Sequence, residues 1–293
     1  MEMDLLRQIE SAYDSFSKGQ KRIADYIINN YDKAVNLTAA KLGRIVGISE
    51  STVVRFATEL GFKGYPGFQK ALEEIVKNKL NSIQRITLTT TRLAEDEILG
   101  AVLQSDYDNL RFTKEQMNNE DFNRAIDLIS DAKNIYIVGG RSCGALAQFM
   151  NYYLNYIFDN VKLISSNSLT VSLEEIHRIN SEDVIICISF PRYFIDTVRI
   201  IEFSKKRNAK IIAITDSDTS PMTKYADCKL YAKSDMVSIV DSLAAPLSLI
   251  NALIAALSIR NKERVVSSME ILEDIWAEYS VYKESNLSGR DLL

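Results

Sequence analysis

The feature that most constrains the fold is a set of short apolar runs in the C-terminal two thirds of the chain. The runs are four or five residues long and cover residues 135–138, 161–164, 184–188 and 211–215. The stretches between them carry apolar residues at helical spacing. Strands that alternate with helices predict a mainly parallel sheet with helices on both faces, which is a doubly wound α/β domain.

The N-terminal part of the chain lacks this alternation and predicts a separate all-α domain. The chain has 293 residues, which exceeds the usual size of about 100 to 200 residues for one domain. Residues 79–96 have no clear apolar period and are rich in Thr, Lys, Arg and Asn, a composition typical of a linker. We therefore predict an all-α domain at 1–78, a linker at 79–96 and an α/β domain at 97–293.

The all-α domain has the pattern of a helix-turn-helix. Amphipathic stretches predict helices at 20–29 and 38–46, and Gly47 then supplies a residue that tolerates the positive φ of a tight turn. Ser49 is a good N-cap, whose hydroxyl can accept the amide proton of Thr52 and so begin a third helix. The apolar residues of that helix recur at i, i+3, i+4 and i+7 and are Val53, Phe56, Ala57 and Leu60.

The charge distribution agrees with a surface that meets phosphate groups. The chain as a whole has a net charge of -4, but residues 18–70 contain nine Lys and Arg against four Asp and Glu. A local excess of positive charge is what a DNA-binding surface requires.

This N-terminal pattern resembles that of the RpiR-type family of bacterial regulators. The segments that carry the resemblance are 39–42 (AAKL), 47–49 (GIS), 51–56 (STVVRF) and 60–65 (LGFKGY). The resemblance implies a transcriptional regulator that binds a double-stranded DNA operator. The alternative interpretation is a small helical bundle whose charged residues only face solvent.

In a helix-turn-helix protein the third helix enters the major groove. Arg55 suits a bidentate contact with a guanine edge or a phosphate, while Val54 suits a thymine methyl group. Hydroxyl and basic side chains around them suit phosphate oxygens. The predicted DNA-binding set is Gln20, Lys21, Ser49, Ser51, Thr52, Val54, Arg55, Lys63 and Tyr65.

The second half of the chain resembles the SIS (sugar isomerase) domain, in segments 139–142 (GGRS), 187–193 (CISFPRY) and 213–217 (AITDS). The resemblance implies a pocket for a small, acidic, sugar-derived effector. A glycine loop after the first strand lets backbone approach a ligand, and the next helix begins with amide protons that favour anions. The predicted ligand-binding set is Gly139, Gly140, Arg141, Ser142, Ser189, Arg192 and Tyr193.

One loop departs from the pattern of sugar-phosphate-binding SIS domains, which commonly have Ser-x-Ser-Gly-x-Thr. Residues 189–194 read SFPRYF instead, which removes two hydroxyls and the glycine. Pro191 also removes one amide donor. We therefore expect an anionic ligand to depend on Arg141 and Arg192 more than on backbone amides.

Two other functions share the SIS fold: a sugar-phosphate isomerase and a non-catalytic sugar-phosphate-binding protein. An isomerase needs a positioned base, and the candidates are His177, Glu174 and Glu175. An attached DNA-binding domain favours sensing, so we predict no catalytic residue and no enzyme activity. The three cysteines are widely separated and predict neither a disulfide framework nor a zinc site, and we expect no metal and no cofactor. Cys143 follows the glycine loop, either as a thiol of lowered pKa or as a small packing residue.

Localisation and assembly follow from two further features. The N-terminus lacks the basic start and apolar core of a signal peptide, which predicts a cytoplasmic protein with no membrane partner. The apolar stretch 243–259 has 17 residues and includes Pro246, so it predicts a buried or oligomer-interface helix rather than a membrane span. With the helical stretch 262–282, it suits the interface of a homodimer or homotetramer that binds the half-sites of a palindromic operator.

Overall fold

The structure of the protein is a computed structural model, and it describes residues 5–35, 37–79, 83, 86, 89, 93–166 and 168–282. The chain forms two compact units, Met1–Glu95 and Asp96–Leu293. The division falls at the end of the predicted linker, much of which lies outside the described residues.

The first unit is helical, as the sequence predicts. Its helices are α1 (Leu5–Ala12), α2 (Lys18–Asn29), α3 (Tyr31–Ala34), α4 (Ala39–Val46), α5 (Glu50–Glu59) and α6 (Tyr65–Lys79), with a 3-10 turn at Tyr13–Ser15. Aromatic side chains form the centre of the core. The ring centroid of Phe56 is 5.1 Å from that of Phe16 and 5.8 Å from that of Phe68, so α5 is held on its inner face by the segments before and after it.

The second unit is an α/β domain with five parallel strands. After a 3-10 turn at Glu95–Glu97, its elements are α7 (Ile98–Gln116), α8 (Asn119–Ser130), β1 (Ile135–Gly139), α9 (Cys143–Leu154), β2 (Val161–Ile164), α10 (Leu169–Glu175), β3 (Val184–Ile188), α11 (Ile195–Lys206), β4 (Lys210–Thr215), β5 (Cys228–Tyr231), α12 (Ala244–Arg260) and α13 (Lys262–Glu278). The strand order is β2-β1-β3-β4-β5, and every pair is parallel.

Helices cover both faces of the sheet, because successive strand residues point to opposite sides. Ile186 and Ile212 belong to a core that also includes Met150 of α9 and Leu253 of α12. Ile185 and its alternating neighbours belong to a second core with the inner faces of α10 and α11. A strand buried on both sides reads as a continuous apolar run, which is why β3 is evident in the sequence.

The strand order creates a topological switch point between β1 and β3. The chain passes from β1 to β2 on one side and then to β3 on the other. Gly139, the last residue of β1, is the register partner of Ile188, the last residue of β3. The loops after these two strands therefore leave the sheet side by side, and the crevice outside such strand ends is where doubly wound folds bind ligands.

One strand, β5, was not predicted from the sequence, whereas the helix predicted at 243–259 is confirmed. β5 has alternating rather than continuous burial, and its four residues, CKLY, include a lysine, so no apolar run marks it. The apolar stretch 243–259 is α12, whose inner face packs in the sheet core. α13 has no buried residue.

No single helix among the described residues is long and apolar enough to cross a membrane. α12 and α13 pass that test only when taken together, and they are bent by 97° where they meet.

Candidate functional sites

Capping residues fix where the two helices of the helix-turn-helix, α4 and α5, begin and where α4 ends. The Thr38 hydroxyl accepts the amide proton of Lys41 and begins α4, and Gly47, with φ of 69°, ends it. A Cβ atom on Gly47 would also lie 2.5 Å from Nη2 of Arg22. Ser49 then begins α5 by accepting the Thr52 amide proton at 3.3 Å, as the sequence predicts.

The outer face of α5 is open to solvent. Val53, Phe56 and Ala57 are buried, so the residues between them point outward. Of the predicted DNA-binding residues, the exposed ones are Ser49, Ser51, Val54, Arg55 and Lys63. The Ser49 hydroxyl lies 2.9 Å from both the Ser51 and the Thr52 hydroxyls, so three hydroxyls cluster at the start of α5.

Lys21 is half-buried, and its ammonium group lies 5.1 Å from the ring centroid of Tyr13. A cation over an aromatic face is held in place by the ring quadrupole. The charge therefore remains on the surface of the helical unit near the start of α2.

Two residues of the predicted DNA-binding set are buried instead. Gln20 is 5% exposed; its side chain accepts from the Ser17 amide in a capping box and donates to Glu59. Tyr65 is 5% exposed, and its hydroxyl donates to the carbonyl oxygen of Leu37 at 2.7 Å. Both side chains hold the unit together, so we correct the prediction that they contact phosphate. The signal for Gln20 was present in the sequence, because Ser and Gln three residues apart form a capping box.

In the α/β unit, the structure brings the two predicted ligand loops together. We call residues 139–142 the glycine loop and residues 189–194 the arginine loop. A Cβ atom on Gly140 would overlap the ring of Phe194, so the arginine loop packs directly on the glycine loop. Only glycine permits this approach.

The glycine loop places its polar side chains at the start of α9. Arg141 is exposed and has a φ of 57°, a left-handed conformation that few residues other than glycine adopt. Ser142 is exposed, and its hydroxyl donates to Oδ2 of Asp241 at 2.6 Å. The first amides of α9 are not open to an anion as predicted, because those of Cys143, Gly144 and Ala145 donate to the carbonyls of residues 140–142.

Hydrogen bonds of Ser189 and Tyr193 hold the arginine loop in place. Ser189 is 3% exposed, and its hydroxyl accepts the amide proton of Phe194 at 3.4 Å. The Tyr193 hydroxyl donates to Oδ1 of Asp216, just after β4, at 2.7 Å. Burial raises the pKa of Tyr193 above its ordinary value, and the Asp216 charge adds to the shift. Tyr193 is therefore a neutral side chain, while Arg192 is exposed at the tip of the loop.

Cys143 is a packing residue rather than a reactive thiol. It is 6% exposed, and burial raises its pKa to about 11. The thiolate is the reactive form, so a lowered pKa, one of the two predicted possibilities, is wrong.

The candidate bases for isomerisation lie away from the crevice. Glu174 and Glu175 end α10, and His177 follows them on the way to the start of β3. This is the amino-terminal edge of the sheet, whereas the crevice lies outside the carboxyl-terminal edge. His177 is exposed, and its Nδ1 lies 2.6 Å from the Glu174 carbonyl oxygen. Within the described ranges, no group of three or more His, Cys, Asp or Glu could hold a metal ion.

Three residues at the crevice were not part of the predicted set: Phe194, Asp216 and Asp241. Phe194 adjoins the predicted loop, and Asp216 directly follows a strand at the same sheet edge, so their positions along the chain offered a signal. Asp241 is 99 positions from Ser142, and no local pattern links the two.

Both halves of the chain match known protein families. Residues 3–79 match the helix-turn-helix domain of the rpiR family, and residues 128–256 match the SIS domain. A relative from Clostridium perfringens, named an uncharacterized HTH-type transcriptional regulator, is 25% identical over 251 residues, covering 84% of this chain and 88% of the relative.

Solved structures share the fold. The sugar isomerase domain of an RpiR transcription factor from Sphaerobacter thermophilus is 26% identical with a TM-score of 0.57, covering 61% of this chain and 99% of that domain. The NanR protein of Vibrio vulnificus, in complex with ManNAc-6P, is 21% identical with a TM-score of 0.57, covering 92% of this chain and 98% of NanR. At that identity the likeness to NanR concerns the fold.

Proposed function

Because the chain belongs to the RpiR-type family of transcriptional regulators, with a helix-turn-helix domain followed by a SIS domain, we propose that it senses a small acidic sugar derivative and adjusts its affinity for operator DNA in response. The observation that carries the DNA-binding half is the outer face of α5. Its start is capped by Ser49, its inner face is buried, and Arg55 is exposed on its outer face.

In the proposed complex, α5 lies in the major groove. Arg55 contacts a guanine edge or a phosphate, and Val54 contacts a thymine methyl group. Ser49, Ser51 and Thr52 offer their clustered hydroxyls to phosphate oxygens, with Lys21 and Lys63 at the periphery. Gln20 and Tyr65 are left out of this interface because they are buried.

The proposed ligand site is the crevice between the glycine loop and the arginine loop. Gly139 and Gly140 let Cys143 and Phe194 pack against the glycine loop, and Ser142, Arg141 and Arg192 supply polar and cationic groups for a phosphate or carboxylate. Ser189 and Tyr193 position the arginine loop. The sugar phosphate held by the Vibrio vulnificus relative makes this chemical class the first to test.

We further propose that the protein acts as a homodimer or homotetramer in the cytoplasm, where operator DNA and sugar phosphates occur together. α7 supports the oligomer, since it exposes an apolar stripe at helical spacing, which we define as Leu99, Leu103, Tyr107 and Leu110. Two copies would place two helix-turn-helix units on the half-sites of a palindrome. A sugar-phosphate isomerase is the alternative function, but its candidate bases lie at the opposite sheet edge.

The decisive experiment measures binding of the full chain to DNA from its own upstream region across a salt series, with and without a panel of sugar phosphates and sugar acids. We expect a sequence-preferring complex that weakens steeply with salt and that one compound shifts. The double variant Arg141→Ala with Arg192→Ala should still bind DNA but lose the response to that compound. A response that persists in the double variant would show that the effector binds elsewhere.

A further inference from the structure

The segment between β5 and α12 connects the ligand crevice to α7. We call residues 234–243 the strap. At its start, Nδ2 of Asn109 donates to the Asp235 carbonyl oxygen at 2.9 Å, and the Asp235 amide donates to Oδ1 of Asn109 at 3.3 Å. Near its end, the Ser242 hydroxyl donates to the Asp106 carboxylate. Both anchors are on α7, the helix that carries the apolar stripe.

Between these anchors, a side chain of the strap contacts the glycine loop. The Asp241 carboxylate accepts the Ser142 hydroxyl proton at 2.6 Å. In agreement with this position, burial is the main cause of the raised pKa of Cys143 at the start of α9, and the Asp241 carboxylate adds to it. The neighbouring strap residues Ile239 and Val240 are 54% and 74% exposed, so this part of the strap faces solvent.

The contact puts a carboxylate where an anionic ligand would need to bind. Ser142 has one hydroxyl proton, and the first amides of α9 are already bonded to the loop carbonyls. A phosphate that binds the Ser142 hydroxyl as its donor must therefore take the proton that Asp241 now accepts. The Asp241 carboxylate and a phosphate, both within hydrogen-bond distance of the same hydroxyl, would also repel each other. The Ser142 hydroxyl can therefore bind only one of the two at a time.

We propose that Asp241 occupies the anion position at Ser142 while no effector is present, and that the anionic group of the effector displaces Asp241 and the strap with it. The proposal rests on the proposed function, since it assumes an anionic effector in this crevice. Displacement would alter the strap's bonds to Asp106 and Asn109 and so reach α7. The strap is thus a physical connection from the effector to the apolar stripe of the proposed oligomer interface.

The test compares Asp241→Asn with a matched control, Val240→Ala, in the full chain. Asn keeps the shape and an acceptor oxygen but removes the competing charge. Calorimetry with inorganic phosphate, glucose 6-phosphate and N-acetylmannosamine 6-phosphate measures affinity. We expect Asp241→Asn to bind the preferred compound about tenfold more tightly than the unaltered chain, because a charge-assisted contact no longer competes. Val240→Ala should bind like the unaltered chain.

Hydrogen exchange of residues 234–243 provides a second measurement. We expect faster exchange in the unaltered chain when the preferred compound saturates it than in the same chain without any compound. Equal or weaker binding by Asp241→Asn, or a strap whose exchange does not change on saturation, would overturn the displacement while leaving the effector site in place. If none of the three compounds binds either protein although DNA binding persists, the displacement and the sensing half of the proposed function both fail.

Discussion

Arg55 and Phe56 are neighbours on α5 with opposite environments. Phe56 is 1% exposed and packs between two other aromatic rings, whereas Arg55 faces solvent. A helix turns by about 100° per residue, so adjacent residues divide between the core and the outer face. Variants at the exposed positions therefore report on binding without disturbing the core.

We predict that Arg55→Ala reduces operator affinity by roughly tenfold to a hundredfold, since it removes a bidentate or phosphate contact. Its melting temperature and oligomeric state should match those of the unaltered chain, because the side chain is not part of the core. Fluorescence anisotropy with labelled operator DNA measures the affinity. Arg124→Ala, which removes an exposed arginine of the other unit, is the control and should bind normally. If the Arg55→Ala variant binds the operator with unaltered affinity, Arg55 does not contribute to the DNA interface.

Cys143 provides a prediction about pH. Its pKa is raised from 9.0 to about 11 by burial, so in that range the folded thiol keeps the proton that the unfolded thiol loses. The unfolded state then binds fewer protons, and the stabilising contribution present below about pH 9 is lost as pH rises towards about 11. At pH 8 we also expect Cys143 to react with iodoacetamide at least about tenfold more slowly than in the unfolded chain. Mass spectrometry of the labelled peptide tests this, and equal rates would contradict the raised pKa.

At the scale of elements, the turn between α4 and α5 sets the geometry of the helix-turn-helix. Gly47 ends α4 in a left-handed conformation and sits against the Arg22 guanidinium. Gly19 of α2, in the same unit, has ordinary helical geometry and room for a methyl group, which would lie 3.7 Å from the side chain of Ile48. Substitution of alanine at these two glycines is therefore expected to change the free energy of unfolding in opposite directions.

We predict that Gly47→Ala lowers the free energy of unfolding by about 1 kcal/mol or more, because a Cβ atom is strained at positive φ and would crowd Arg22. Gly19→Ala should raise stability slightly, by up to about 1 kcal/mol, because alanine is a better helix former. Urea denaturation followed by circular dichroism compares them. If both variants lose the same stability, the turn geometry is not the cause.

At the scale of the whole molecule, assembly depends on surfaces that a single chain leaves uncovered. Leu99, Leu103 and Tyr107 are 72%, 60% and 61% exposed on one side of α7. A contiguous exposed apolar surface of this kind is typical of an interaction site. Since the strap is anchored on the same helix, α7 links the proposed effector site to the proposed interface.

We predict that Leu103→Lys dissociates the oligomer, because it places a charge in the apolar stripe. Gln104→Lys, one position further along and outside the stripe, should remain assembled. Analytical ultracentrifugation measures the mass of each. The dissociated variant should also bind a two-half-site operator at least about tenfold more weakly, because the second half-site is then no longer engaged at high effective concentration. If the Leu103→Lys variant remains assembled, the oligomer interface lies on another surface, such as α13.

The two-unit organisation, the helix-turn-helix and four of the five strands followed from local patterns in the sequence. Ser49, Gly47 and the inner face of α5 were predictable because caps, turns and helical periodicity depend on residues within about one turn of each other. The runs at β1, β3 and β4 were evident because strands buried on both faces are continuously apolar. β5 was not predicted, because it is short and only its alternate residues are buried.

The sequence by itself therefore determined which segments form helices and strands, and it identified the two loops that follow β1 and β3. Only the tertiary structure decided how individual polar side chains are used. Tyr65 looks like a surface residue in the sequence, but the carbonyl oxygen of Leu37, distant along the chain, accepts its hydroxyl proton and holds it in the core. Asp241 reaches Ser142 across 99 positions. Such contacts depend on how elements pack, and no local spacing of residues encodes that.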